Sequence, residues 1–230
     1  MCGIIGIVSK NQVVDRLIKG LQCLEYRGYD SSGVAAVNSE DIFFIKSPGK
    51  LVSLKNKLKH NPIDGFVGIG HTRWATHGEP TEINAHPHVT KDVAVVHNGI
   101  IENFAELKNE LLEKGVIFKS QTDTEIIAQL VEEKISKEKC QPLEAVRLTI
   151  ERLSGSFALC FIFRGLGNLL ICARRGSPLA LGFGVNENFV SSDATSLSLF
   201  SQKVCYLEEG DVAVLTKDEV SIFDSSGKSV

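Results

Sequence analysis

The sequence predicts an α+β fold in which antiparallel sheets are covered by helices. Three observations carry that reading: the second half is a succession of short apolar segments of strand length, the helical segments carry a clear apolar stripe, and helices come in a group between runs of strands. A doubly wound parallel sheet would instead alternate strand and helix one for one. With 230 residues, 43% of them apolar, and mixed charges, the chain has the material for one large core or two small ones.

Residues 3–8 read as a short buried strand, and residues 12–24 as a helix with Val13, Leu17, Leu21 and Leu24 on one face. Strands over 33–37 and 42–46 form a hairpin around the polar turn of residues 38–41. A short helix over 51–58 precedes strands over 66–71 and 93–97. These are separated by a long polar segment rich in His, Thr, Glu and Pro, and a loop of that length usually has a function. Helices follow over 103–114, with Phe104, Leu107 and Leu111 on one stripe and Gly115 as a stop, and over 124–135 and 142–153. The remaining strands, in hairpin order, cover 157–163, 169–173, 179–182, 189–192, 204–207, 212–215 and 220–223. No internal repeat or clear linker is visible, and the polar residues 224–230 read as an end or the start of a linker.

A formal net charge of -3, with lysines in short clusters such as Lys55, Lys57 and Lys59, leaves no footprint for nucleic acid. The longest apolar runs, 157–163 and 169–173, fall far short of the ~20 residues of a membrane helix. Gly3 and Gly6 interrupt the only hydrophobic run near the N-terminus, which therefore lacks a secretory pattern, and a cytosolic protein is expected. Six cysteines without paired short spacings, with Cys160 and Cys172 inside strand-like runs, read as reduced thiols.

Cys2 is the exception. It follows the initiator methionine, whose removal requires a small second residue, so the mature chain is expected to begin with this thiol and a free α-amine. An α-amino group with a pKa of about 7.7 to 8.0 can take the thiol proton near neutral pH, as in N-terminal threonine hydrolases. The alternative is a small apolar residue opening a strand. Asn98 and Gly99 follow the strand directly and offer a side-chain amide and an unhindered backbone N–H to an oxyanion. Asn-Gly is ordinarily a hairpin turn, but the next element here is a helix, so the pair is expected at a strand-to-helix corner.

Arg73, just past a strand, could hold a substrate carboxylate with two hydrogen bonds, with Thr76 and His77 adding polar contacts; a surface salt bridge is the alternative. Asp123 could hold an ammonium group, but Thr122 and Glu125 around it also make a capping box. Histidines 71, 77, 86, 88 and 97 raise a zinc site as a further alternative, although HExxH and paired CxxC motifs are absent and Pro87 keeps His86 and His88 off one helical face.

Several segments together carry a resemblance: Met1-Cys2-Gly3-Ile4, Tyr26-Arg27-Gly28-Tyr29-Asp30, the stretch from His71 to Pro80, Asn84-Ala85-His86-Pro87-His88, His97-Asn98-Gly99 and Thr122-Asp123-Thr124-Glu125. The chain resembles, essentially end to end, the glutaminase domain of the glutamine:fructose-6-phosphate amidotransferase family, the glucosamine-6-phosphate synthases. These are class II amidotransferases with the N-terminal nucleophile hydrolase fold. The resemblance implies a four-layer αββα sandwich with two antiparallel sheets between helical layers.

It further implies Cys2 as nucleophile and base, Asn98 and Gly99 as oxyanion hole, Arg73, Thr76 and His77 on the carboxylate of L-glutamine and Asp123 on its ammonium group. Trp74 would gate ammonia and Arg27 would position the nucleophile, with no metal or cofactor. Residues 1–230 would then be one glutaminase domain. The sugar-isomerase domains of the family, which bind fructose 6-phosphate in a homodimer of the hexosamine pathway, do not follow, so an excised domain making ammonia rather than amino sugar is expected.

Overall fold

The computed structural model of the chain describes residues 2–74 and 78–230. Among these, two antiparallel sheets pack face to face. The first has the strand order β11-β9-β10-β1-β4-β2-β3 and the second β13-β12-β8-β7-β6-β5. In chain order the elements are β1 (Gly3–Ser9), α1 (Val14–Leu24), β2 (Ser31–Val37), β3 (Ile42–Pro48), α2 (Leu51–His60), β4 (Val67–Arg73), β5 (His88–Val89), β6 (Val93–Ile101), α3 (Phe104–Glu113), α4 (Thr124–Ser136) and α5 (Pro142–Ile150). There follow β7 (Gly155–Phe163), β8 (Leu170–Arg175), β9 (Ala180–Phe183), β10 (Glu187–Ser191), α6 (Ala194–Leu197), β11 (Lys203–Tyr206), β12 (Val212–Leu215) and β13 (Val220–Phe223).

The layers follow from which residues lie on which face. Along β1, Ile5 and Ile7 pack outward with Leu17, Leu21 and Leu54 of α1 and α2, whereas Ile4 and Val8 join the core between the sheets. Along β7, Phe157, Leu159, Phe161 and Phe163 pack outward with α3, α4 and α5, while Ala158, Cys160 and Ile162 face the first sheet. The central strands of both sheets are thus buried on both faces, which is why they read as unbroken apolar runs instead of alternating ones. The four-layer sandwich expected from the resemblance is the architecture seen. The second-half strands do not form a single run of hairpins, however: β9, β10 and β11 complete the first sheet, and β7, β8, β12 and β13 lie in the second.

The faces that meet intersperse small residues, among them Ala35, Ala94, Ala158, Cys160, Cys172 and Ala213, with Val, Ile and Leu. Cys160 and Cys172 sit opposite each other on β7 and β8 as free thiols. At Gly6 the sheets leave no room for a side chain, since a Cβ there would lie 2.8 Å from Leu170 Cδ1 of the other sheet and 2.6 Å from Val190 Cγ1 on the neighbouring strand. The bulky aromatics are sent to the helical sides.

Near one end the apolar core gives way to imidazoles. His71, His86, His88 and His97 are all buried. His71 stacks on His86 with ring centroids 4.3 Å apart, and His88 meets His86 edge-on at 4.8 Å. Hydroxyls serve them: Thr124 Oγ1 lies 2.8 Å from His86 Nε2 and 3.0 Å from His97 Nδ1, and Thr122 Oγ1 lies 2.8 Å from His88 Nε2. Burial pushes the pKa of each of these rings down, that of His71 to about 3.

Two outcomes are expected. Gly6→Val overfills the sheet interface and should lower stability by about 1–3 kcal/mol in urea unfolding, and an unchanged midpoint would show the sheets to be further apart than described. The histidines make the fold acid-sensitive. The unfolded chain takes up protons below about pH 6.5 that the folded rings refuse, so stability is full above that pH and lost as pH falls through the window down to about 3 for His71. Each ring contributes a slope of about 1.4 kcal/mol per pH unit. Urea midpoints should therefore drop steeply between pH 7 and 5.5, before carboxylates titrate, and His88→Gln should flatten the slope; a flat midpoint would contradict neutral imidazoles.

Candidate active site

The parity of strand residues selects the site. On β1, Ile4 faces the other sheet, and so does Cys2, two residues earlier; on β4, Ile69, His71 and Arg73 share that face; on β6, Ala94, Val96 and Asn98 point back at it. The antiparallel register pairs Gly3 with Thr72, and one step further brings Cys2 opposite Arg73. Cys2, Arg73 and Asn98 therefore meet at one end of the gap between the sheets.

Cys2 is half-buried. Its Sγ accepts the Trp74 backbone N–H at 3.2 Å and donates to the Trp74 carbonyl at 3.6 Å. Burial pushes the thiol pKa up, against the pull of the Trp74 N–H and the Arg73 guanidinium. Trp74 itself is 43% exposed, with its ring edge-on to Tyr29 at 5.4 Å. Gly28 lets the preceding segment lie against this strand end, because a Cβ there would fall 2.6 Å from the Arg73 carbonyl carbon.

Asn98 crosses between the sheets. Its Nδ2 donates to the Cys2 carbonyl at 2.9 Å, and its Oδ1 lies 3.0 Å from His71 Nε2. The expected strand-to-helix corner is corrected here: β6 continues through Asn98 and Gly99 to Ile101, pairing Asn98 with Ala158 and Gly99 with Phe157. Gly99 has φ 138°, and a Cβ on it would meet the Ser156 carbonyl oxygen at 2.0 Å, so this mid-strand position requires glycine. The pair neither turns the chain nor ends the strand. It bends a paired strand at the mouth of the site.

Arg73 is the last residue of β4 rather than the first beyond it, and it is 4% exposed, which removes the surface salt bridge. Its guanidinium donates to the Gly78 and Glu79 carbonyls, at 3.3 and 3.2 Å. Burial lowers its pKa, while Cys2, Asp30 and Asp123 lie close enough to raise it. Asp123 completes the group: its Oδ2 accepts the Ile101 N–H at 2.9 Å, and its Oδ1 faces the Thr124 hydroxyl at 3.4 Å and His97 Nδ1 at 3.9 Å.

The capping box expected at Thr122 and Glu125 is not made. The Glu125 carboxylate instead accepts the Lys119 and Ser120 N–H groups, at 2.8 and 2.6 Å, and Thr122 turns to His88.

Arg27 pairs with Asp193 at 3.0 Å and with the Tyr26 hydroxyl at 3.1 Å, and the Tyr26 hydroxyl in turn donates to Asp193 at 2.6 Å; this pins the turn after α1 to the start of α6. Thr76 and His77 lie outside the described residues. The role of the other histidines was not legible in the sequence, where they suggest metal ligands. The available signal was parity, since His71 shares a strand face with Arg73.

Residues 71–198 match the family described as a glutamine amidotransferase domain. Over all 230 residues the chain is 51% identical to a protein of Mesorhizobium japonicum and 52% identical to one of Bartonella quintana, both named glutamine–fructose-6-phosphate aminotransferase (isomerizing). The alignments cover 100% of this chain and 38% of each of those proteins, so the chain spans well under half the length of these curated relatives. The solved glutamine phosphoribosylpyrophosphate amidotransferase of B. subtilis, complexed with ADP and GMP, superposes with a TM-score of 0.84 over 99% of this chain and 50% of that one, at 22% identity, which is a likeness of fold. The matched segment takes in Arg73, Asn98, Gly99 and Asp123 and more than half of the sequence, and the chain belongs to the glutamine amidotransferase domain family.

Proposed function

We propose that this chain hydrolyses the side-chain amide of L-glutamine to L-glutamate and ammonia, with Cys2 as the first residue of the processed chain. The observation that carries the reading is the 2.9 Å bond from Asn98 Nδ2 to the Cys2 carbonyl, which holds an amide N–H donor beside the nucleophile. Asn98 Nδ2 has two hydrogens, one occupied by that bond and one left for an oxyanion.

In the proposed reaction the free α-amine of Cys2 takes the thiol proton as sulfur attacks the amide carbon, and the oxyanion is held by Asn98 Nδ2–H and the Gly99 N–H. Collapse returns the proton to the leaving nitrogen and releases ammonia. Water, activated by the same amine, then cleaves the γ-glutamyl thioester. A thiol raised by burial is protonated at neutral pH and needs such a base. Among the described residues its hydrogen bonds go to the Trp74 backbone and to no imidazole.

Arg73 binds the α-carboxylate together with Thr76 and His77, and Asp123 binds the α-ammonium group. Arg27 braces the segment before Gly28, and Trp74, half-exposed beside Tyr29, closes over the substrate and gates ammonia. The names of the relatives support a wider role, in which this unit, joined to the remaining length of such a protein, passes ammonia to fructose 6-phosphate; the cytosolic setting, the homodimer and the hexosamine pathway rest on the resemblance in sequence alone.

Cys2→Ala should release no glutamate. Asn98→Ala should lose on the order of a hundredfold or more in kcat while still binding glutamine; near-normal turnover would contradict its role. Asp123→Asn should raise KM for glutamine with less effect on kcat. Mass spectrometry of the purified chain should find Met1 removed and a glutamine-analogue electrophile on Cys2; a retained Met1 in an active protein would overturn the role of the α-amine.

A further inference from the structure

The Asn98 side chain is held at both ends by groups whose chemistry leaves no freedom. At one end Nδ2 meets the Cys2 carbonyl, which can only accept, so the atom there is the amide nitrogen. At the other end His71 Nε2 lies 3.0 Å from Asn98 Oδ1 and 3.1 Å from the His97 carbonyl oxygen. A carbonyl can only accept, so Nε2 carries the proton, and the Asn98 atom it also faces must be the oxygen. Two backbone carbonyls, on β6 and at the start of β1, thus dictate the His71 tautomer and the orientation of the Asn98 amide. His71 Nδ1 has no partner and is left as a buried lone pair. The ring is fully buried, and stacking on His86 fixes its plane.

Resting on the glutaminase reading above, we infer that His71 is a positioning residue for that reaction: its Nε2–H holds Asn98 Oδ1 so that Nδ2–H points at the oxyanion, and by drawing electron density to Oδ1 it strengthens that N–H as a donor. His71 touches neither sulfur nor substrate in this role. It acts from β4 of one sheet on β6 of the other, through one amide. Removing it leaves the Asn98 amide tethered only at Nδ2 by the Cys2 carbonyl, so the amide plane can tilt and its second N–H swings off the oxyanion. The loss therefore falls on the transition state and spares glutamine binding, which depends on other residues. Hydrogen-bond cooperativity acts in the same direction, because an amide whose oxygen accepts a bond is a better donor at nitrogen.

The test uses two substitutions of similar bulk. A glutamine amide nitrogen reaches about as far as imidazole Nε2, and that of asparagine only as far as Nδ1. His71→Gln should therefore keep kcat within a few-fold, whereas His71→Asn should lose about tenfold or more in kcat with KM for glutamine nearly unchanged. Alkylation of Cys2 by iodoacetamide, which forms no oxyanion, should proceed at the wild-type rate in both. In an Asn98→Ala background His71→Asn should add almost nothing, because the group it acts through is gone. Equal loss in both His71 variants, a matching rise in KM, or additive losses in the double variant would overturn the inference.

A measurement that does not depend on any variant folding is the 15N spectrum of histidine-labelled wild-type protein, which should show His71 as the Nε2–H tautomer at neutral pH; an Nδ1–H tautomer would overturn the assignment outright. Absence of glutamate release by the wild-type chain would sink the glutaminase reading itself, and release by Cys2→Ala would sink the role of Cys2. Loss in Cys2→Ala and Asn98→Ala with full activity in His71→Asn would sink only the role of His71.

Discussion

The structure depends on how closely its two sheets approach. Sheets normally stack about 10 Å apart, a distance that a single asparagine can bridge only where the intervening side chains are small. Here the facing residues include Gly6, Ala35, Ala94, Ala158 and Cys160, while the phenylalanines of β7 are turned toward the helices. That division permits Asn98 of the second sheet to reach the Cys2 carbonyl at the edge of the first. Bulkier residues at the interface would draw Asn98 away from the Cys2 carbonyl. The core composition thus sets the geometry of the site.

How much of this was legible from the residues depended on the range of the forces involved. Helices α1, α3, α4 and α5 declare themselves because a stripe of period 3.6 is a local property. Most strands were legible to within a residue or two, although β6 runs four residues past its expected end and β5 was not legible; their assignment to sheets was not, since burial of the central strands on both faces erases the alternation that would distinguish them. Cys2, Arg73, Asn98 and Asp123 stood out through functional-group chemistry alone.

The misreadings share a cause. Asn98-Gly99 looks like a turn, and Thr122 with Glu125 like a capping box, when only neighbours in sequence are considered. In the fold, pairing with β7 keeps Asn98 and Gly99 in strand, and the Lys119 and Ser120 N–H groups claim the Glu125 carboxylate. The histidines were ambiguous for the same reason, because a sequence does not reveal that hydroxyls and a carbonyl are their partners.

The imidazole layer is an expensive way to fill a core. His71 Nδ1 and His86 Nδ1 are buried without partners, each at a cost of about 1–3 kcal/mol. One arrangement makes the orphans consistent. If the Thr124 hydroxyl donates its single proton to Asp123 Oδ1 or to His97 Nδ1, His86 Nε2 must donate to it, and His86 Nδ1 is then, like His71 Nδ1, a bare lone pair, not a stranded N–H. The His71 proton fixes the orientation of the Asn98 amide, and the Thr124 hydroxyl links His86 and His97 to the neighbourhood of Asp123. Stability is exchanged for fixed directions of polar groups, a trade common where function demands preorganisation.

The polar groups around Cys2 also bear on where its proton goes. The Trp74 N–H, the Arg73 guanidinium and the Asn98 amide are all donors. They suit a site that welcomes negative charge on sulfur or on a carbonyl oxygen, but none of them can accept a proton. His71 Nε2–H points at carbonyl oxygens and His97 at a hydroxyl, so neither serves the thiol. Carboxylates are too weakly basic as a class to deprotonate a thiol raised by burial. Among the described residues the surrounding is rich in donors and lacks a competent acceptor, which supports the proposal that Cys2 uses its own α-amine as base.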